Sequence, residues 1–209
     1  MIIMKKTLFA FYSFLLLLSF GCSSNDANMD GTIFIPDETN LSLPAYTEWG
    51  YNTFGAKYER SYFLVAKNVV PCKITYRNDS LNFVLIGHWG TDSFENYGQG
   101  PMRLAFSFPM PLINDYTGLA TLDGKVIVLP DEPCVVTMVK GNSTETTLVP
   151  ISGKLTFKRA QLLEVDDVVD RVILSGTFNL KYLVSGLQET FSEGRFDIAI
   201  GDPDFWYDK

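Results

Sequence analysis

The chain has one histidine, His88, and three cysteines, Cys22, Cys72 and Cys134. That scarcity excludes most catalytic and metal-binding arrangements at the outset. A serine triad needs a histidine beside a nucleophile and a carboxylate, and no Gly-x-Ser-x-Gly elbow is present. A zinc site needs three or four nitrogen or sulfur ligands, which one histidine and scattered cysteines do not supply. No Cys-x-x-Cys pair occurs, so a thioredoxin-type redox site is absent. No Gly-rich phosphate loop leads into a helical pattern, and no repeat of fixed period is visible. Neither a metal nor a cofactor is implied.

Positive charge is also scarce. Seventeen Lys and Arg face twenty-four Asp and Glu, for a formal charge of −7. Two of those cations, Lys5 and Lys6, belong to the leader described next, so the rest is more acidic still. Phosphate backbones need clustered Lys and Arg, so nucleic acid is not a partner.

Long apolar runs are limited to one. Behind Lys5 and Lys6, Leu8 to Phe20 is continuously apolar apart from Tyr12, Ser13 and Ser19, and Gly21-Cys22 ends it. The polar run Ser23-Ser24-Asn25-Asp26 follows. The segment is shorter than the ~20 residues that span a bilayer. A basic start, a short apolar body and a small-residue end predict a cleaved secretion signal. A cysteine just after the cut predicts a lipoprotein, acylated at Cys22, for example with palmitate. Each buried CH₂ of such chains contributes ~0.8 kcal/mol, so several chains anchor firmly. The predicted organisation is residues 1–21 as signal peptide, 22–44 as lipidated N-terminus and tether, and 45–209 as one all-β domain. The predicted location is the cell envelope, lipid-anchored, at the periplasmic or surface face of the outer membrane.

Helical signals are the next absence. From Tyr46 onward the texture is period-two. Ile74 and Tyr76 alternate with Lys73 and Thr75; Asn78-Asp79 reads as a tight turn; Leu81, Phe83 and Leu85 resume the apolar face. A second hairpin runs from Cys134 through Lys140, turns at Gly141-Asn142 and returns to Ile151. Leu104, Phe106 and Phe108 form a strand stopped by Pro109 and Pro111. Leu155 to Val165 reads as a strand that turns at Asp166-Asp167, and Ile173 to Val184 as a long strand. Leu187 to Ile200 reads as a last hairpin turning at Glu193-Gly194. About ten strands without a long helix predict an antiparallel β-sandwich or a closed or partly closed β-barrel.

Four strings carry a resemblance: Trp49-Gly50-Tyr51-Asn52-Thr53-Phe54-Gly55-Ala56, Leu155-Thr156-Phe157-Lys158-Arg159-Ala160, Leu174-Ser175-Gly176-Thr177-Phe178 and Gly194-Arg195-Phe196-Asp197. With them the chain resembles small Bacteroides-type lipoproteins classed as domains of unknown function. The resemblance implies a β-rich envelope protein and brings no catalytic or binding residue with it. Physically, Gly176 and Gly194 suit bulge or turn conformations. Arg195 and Asp197 share a strand face and are placed to pair.

Cys72 and Cys134 each follow a proline and open a β-like run. In a secreted chain they predict a disulfide, worth ~4 kcal/mol for a loop of this length; the alternative is two buried free thiols. Carboxylates cluster at Asp166, Asp167 and Asp170 and again at Asp202, Asp204 and Asp208. Aromatic residues are plentiful, at 14%. Trp49, Tyr51, Trp89, Trp206 and Tyr207 fall in segments read as loops and are the candidate ligand platform. The expected role is a non-enzymatic binding or assembly module with an envelope protein or glycan partner. The alternative is a carbohydrate-binding or carbohydrate-active envelope protein that uses the loop aromatics and carboxylates. A third is an apolar ligand held inside a barrel.

Overall fold

A computed structural model describes residues 31–67, 70–96 and 98–207. The leader and Cys22 lie outside the described residues, as do Tyr97 and Asp208. The strands are β1 (Thr53–Tyr58), β2 (Ser61–Val65), β3 (Cys72–Arg77), β4 (Ser80–Thr91), β5 (Gly100–Pro109), β6 (Val126–Leu129), β7 (Val135–Lys140), β8 (Thr146–Val165), β9 (Val168–Val184), β10 (Leu187–Ile200) and β11 (Phe205–Tyr207). The all-β expectation holds.

Tight turns begin the architecture. Asn78-Asp79, Asp166-Asp167 and Ser185-Gly186 all have positive φ at both residues, the twist that a two-residue hairpin needs. They join β3 to β4, β8 to β9 and β9 to β10. Neighbouring strands pair antiparallel around a ring: β4, β2, β1, β10, β9, β8, β7 and β5, closed by β5 returning to β4. Eight strands of the one large sheet are therefore ringed as in a β-barrel. β4 is long enough to pair β3 along its first half and β2 along its second. β11 adds to β3 in parallel, and β6 adds to β8.

Period-two alternation sends one face of each strand inward. Phe83, Phe157 and Phe196 come from β4, β8 and β10 and meet with ring centroids 5.1 to 5.6 Å apart. Phe106 meets Phe178, and Phe178 meets Phe191, which stacks on Tyr58 and Tyr182. Each such pair adds about 0.5–1.5 kcal/mol beyond its buried area. Rings thus pack together in the lumen as part of the core.

Gly176 and Gly194 serve this core through space, not through unusual φ. A Cβ on Gly176 would stand 2.0 Å from the Thr156 carbonyl oxygen and 2.6 Å from Phe196 Cζ. One on Gly194 would stand 2.4 Å from the Phe178 carbonyl oxygen and 2.7 Å from its ring. Two neighbouring Phe rings occupy the room that these glycines leave.

The region read as a last hairpin is one strand, β10. Its register against β9 slips between Phe191 and Gly194, with Glu193 at positive φ. That is a β-bulge, which explains why Glu193-Gly194 carries a turn signature without reversing the chain. A seven-residue 3-10 helix at Tyr116–Leu122, capped by Asp115, has no counterpart in the sequence reading.

The segment read as tether up to residue 44 is in part a strap. The Ile33 N–H donates to the Tyr51 carbonyl, Ala45 N–H to the Ile35 carbonyl, and Pro36 bridges Pro44. Phe34 stacks on Phe94 at 4.8 Å. Residues 45–52 then cross the outside of β9 and β10, which is why Ile173, Ser175, Asp197 and Ala199 are buried on the outward face of those strands.

Candidate functional site

The barrel has two different ends. One carries the start of β1, the end of β10 and the β8–β9 turn, as the pairs Thr53–Asp197 and Val165–Val168 show. The other carries the β1–β2, β7–β8 and β9–β10 turns.

At the first end lies a cleft of about 820 Å³. Its walls come from the β8–β9 hairpin (Val165, Val168, Val169, Asp170, Arg171), the last turn of β10 and the segment after it (Ile198, Ile200, Asp202, Pro203, Asp204), Val70 to Cys72, and Tyr116 of the 3-10 helix. Tyr116 fixes the hairpin by donating its hydroxyl to the Val169 carbonyl at 2.9 Å. Val168 is 65% exposed, Val70 54% and Val165 47%. Aliphatic side chains thus stand at a mouth where solvent would ordinarily select polar ones. Asp170 pairs with Arg171 at 3.1 Å, and the Asp204 carboxylate accepts the Gly201 N–H. The cleft therefore joins an apolar wall to three carboxylates and one arginine in its lining. The two acidic clusters of the sequence converge here through Asp170, Asp202 and Asp204, while Asp166 and Asp167 form the hairpin turn.

The other end is closed by a polar network. Lys140 Nζ donates to the Tyr58 hydroxyl at 2.7 Å, and Tyr58 donates to Glu189 Oε2 at 2.5 Å. Tyr182 donates to the same oxygen at 2.7 Å. Trp89 meets Tyr58 edge-on, with Lys140 Nζ 4.4 Å above its ring. Burial first, and the hydrogen bond to Glu189 second, push both phenols well above the usual tyrosine range. This end holds its protons tightly and acts as a plug.

The five platform candidates fall in three separate neighbourhoods. Trp49 sits on the strap, 73% exposed, with its N–H on Asp197 at 3.0 Å. Tyr51 is also on the strap, where its carbonyl receives Ile33. Trp89 belongs to the plug at the opposite end. Trp206 lies on β11 under Lys73 Nζ at 3.8 Å, and Tyr207 stacks on Tyr76 at 5.7 Å. None of the five lines the 820 Å³ cleft.

The predicted disulfide is not formed, and both thiols are free. Cys72 on β3 and Cys134 just before β7 are separated by β4 and β5. Three strand spacings of ~4.8 Å exceed the ~7 Å that a disulfide bridges. Burial raises the Cys72 thiol well above its usual range. Burial, then the Glu132 charge, push Cys134 up to about 11. Neither is an activated nucleophile. His88 lies on β4 between Leu64 and Pro101, away from the cleft, and burial lowers its pKa. Among the described residues no group of three or more His, Cys, Asp or Glu is placed to hold a metal ion, and no helix is long and apolar enough to cross a membrane.

In place of the predicted Arg195–Asp197 pair, each of the two side chains bonds the strap separately. Arg195 Nη1 meets Asp37 Oδ2 at 2.6 Å. Asp197, 1% exposed, accepts from the Thr47 hydroxyl, the N–H groups of Trp49, Gly50 and Tyr51, and the Ser175 hydroxyl. The Asn52 side-chain oxygen accepts the Ala199 N–H at 3.0 Å, and Lys158 lies over Tyr46. The four strings that carried the resemblance thus meet at one structural lock.

No family model, curated protein or solved structure matches the chain.

Proposed function

We propose that the chain is a lipid-anchored lipoprotein of the cell envelope whose barrel is a non-enzymatic binding module. The leader pattern ending at Cys22 supports the anchor. The cleft carries the binding half: an aliphatic mouth beside Asp170, Asp202 and Asp204 suits a small amphiphile with an apolar body and a cationic group. Apolar contact supplies affinity there, and the carboxylates fix orientation. The raised Cys72 thiol favours binding over covalent chemistry at this wall.

Titration with dansylcadaverine, an aromatic primary amine, tests this reading. Its emission should rise on binding. Val168→Arg, which inserts a cation into the mouth, and Asp202→Asn should each weaken affinity about tenfold, or ~1.4 kcal/mol. Unchanged affinity in both variants would remove the cleft from the account.

Carbohydrate binding keeps one supporting observation: Tyr116 and three carboxylates line the same cleft. Competition by neutral oligosaccharides against the dye favours that reading. It would then rest on Asp202 and Asp204 in place of the tryptophans.

A further inference from the structure

The strap buries one side and leaves the other bare. Phe34 turns in toward Phe94 and Leu43 is fully buried, while Ile33, Ile35, Leu41 and Trp49 point out at 51%, 42%, 73% and 73% exposure. Four large apolar side chains on about twenty residues of the outermost layer are unusual for a surface that faces only water. The carboxylates beside them are mostly engaged. Asp37 is held by Arg195, and Glu48 accepts the Tyr46 hydroxyl at 2.8 Å. Glu38 is the exposed carboxylate of this stretch.

We propose that this outer face of the strap lies on the bilayer that holds the acyl chains of Cys22, with Trp49 in the interface. The inference rests on the anchored reading given above. Distance selects the occupant. Cys22 to Gly31 is nine peptide steps, at most ~31 Å of chain, and Ile33 follows two residues later. The bilayer is therefore held at high effective concentration against the strap, and no other partner has that advantage. Chemistry agrees. Tryptophan and aliphatic side chains without clustered cations suit the boundary of an uncharged lipid surface.

Tryptophan quenching tests the inference in the full-length chain, purified from membranes and reconstituted into phosphatidylcholine vesicles with brominated acyl chains. In a Trp89→Phe, Trp206→Phe background, Trp49 is the reporter. In a background with all three tryptophans replaced by Phe, Val135→Trp reports on β7, which stands opposite β1 in the ring and exposes Val135 at 54%. Bromolipid should quench Trp49 at least about twofold relative to ordinary vesicles and leave the β7 reporter unchanged. Leu41→Asp should reduce the Trp49 effect. Equal quenching of both reporters, or none at Trp49 in protein that floats with the vesicles and carries acyl mass at Cys22, would overturn the strap contact and leave the anchor standing. A chain without acyl mass that fails to float would overturn both.

Discussion

A carboxylate at 1% exposure is tolerable only when its oxygens are fully bonded, and Asp197 shows how that is done here. Three backbone N–H groups and two hydroxyls converge on it from segments about 150 and 22 residues away in sequence. Asp197→Ala would leave those donors buried and unpaired. We expect a loss of about 3 kcal/mol or more in urea unfolding, with Ser175→Ala costing about 1. A change below about 1 kcal/mol for Asp197→Ala would show that the strap is not held this way. Asp37 adds a pH dependence. Hydrogen bonds from Thr39, foremost its hydroxyl, and then the Arg195 charge hold its carboxyl at about 2, below the usual carboxylate range. A depressed carboxylate pKa contributes stability above the unfolded value and loses it as pH falls through the folded one. Strap protection from proteolysis should therefore fade between about pH 4 and pH 2, and Asp37→Asn should lack that part of the transition. The sequence showed Arg195 and Asp197 as a motif but not their partners, because most of those partners arrive from residues 37–51, across a separation that no local pattern encodes.

At the scale of elements, turns were the most legible feature. Asn78-Asp79 and Asp166-Asp167 announce themselves because few residues tolerate two successive positive φ values. Bulges were not legible, since Glu193-Gly194 looks the same whether the chain reverses or only slips register. The 3-10 helix at Tyr116–Leu122 was missed because Asp115 was its one local signal, while its place is fixed by burial of Leu119 and Leu122. The strand alternation failed where β10 is buried on both faces, which is the mark of a covering strap. Glycine roles separate cleanly at this scale. Gly176→Ala meets a carbonyl oxygen at 2.0 Å, a backbone clash that strand β8 cannot relieve without moving. We expect it to cost several kcal/mol or to abolish folding, read by circular dichroism and urea unfolding. Gly124→Ala, at φ +71 in open space, should cost only about 1 kcal/mol from the left-handed backbone. Equal effects of the two would refute the distinction.

For the molecule as a whole, composition pointed to an all-β domain but could not choose barrel over sandwich. Closure depends on β5 returning to β4 and β10 meeting β1, two pairings that alternation alone does not specify. The candidate site was legible only in part. The acidic clusters were visible, and three of their members, Asp170, Asp202 and Asp204, line one cleft. Trp49, Trp89 and Trp206 lie apart, on the strap, in the plug and on an added edge strand. Exposed valines at a barrel mouth are recognisable as a site only once the mouth exists.

Hydrogen–deuterium exchange of the full-length protein with and without dansylcadaverine reads every peptide at once and so locates where the dye binds. Slower exchange confined to residues 165–171 and 198–204 is the predicted result. Protection spread over the outer strands, or none at the β8–β9 hairpin when the dye is bound, would contradict a binding module that works through this cleft.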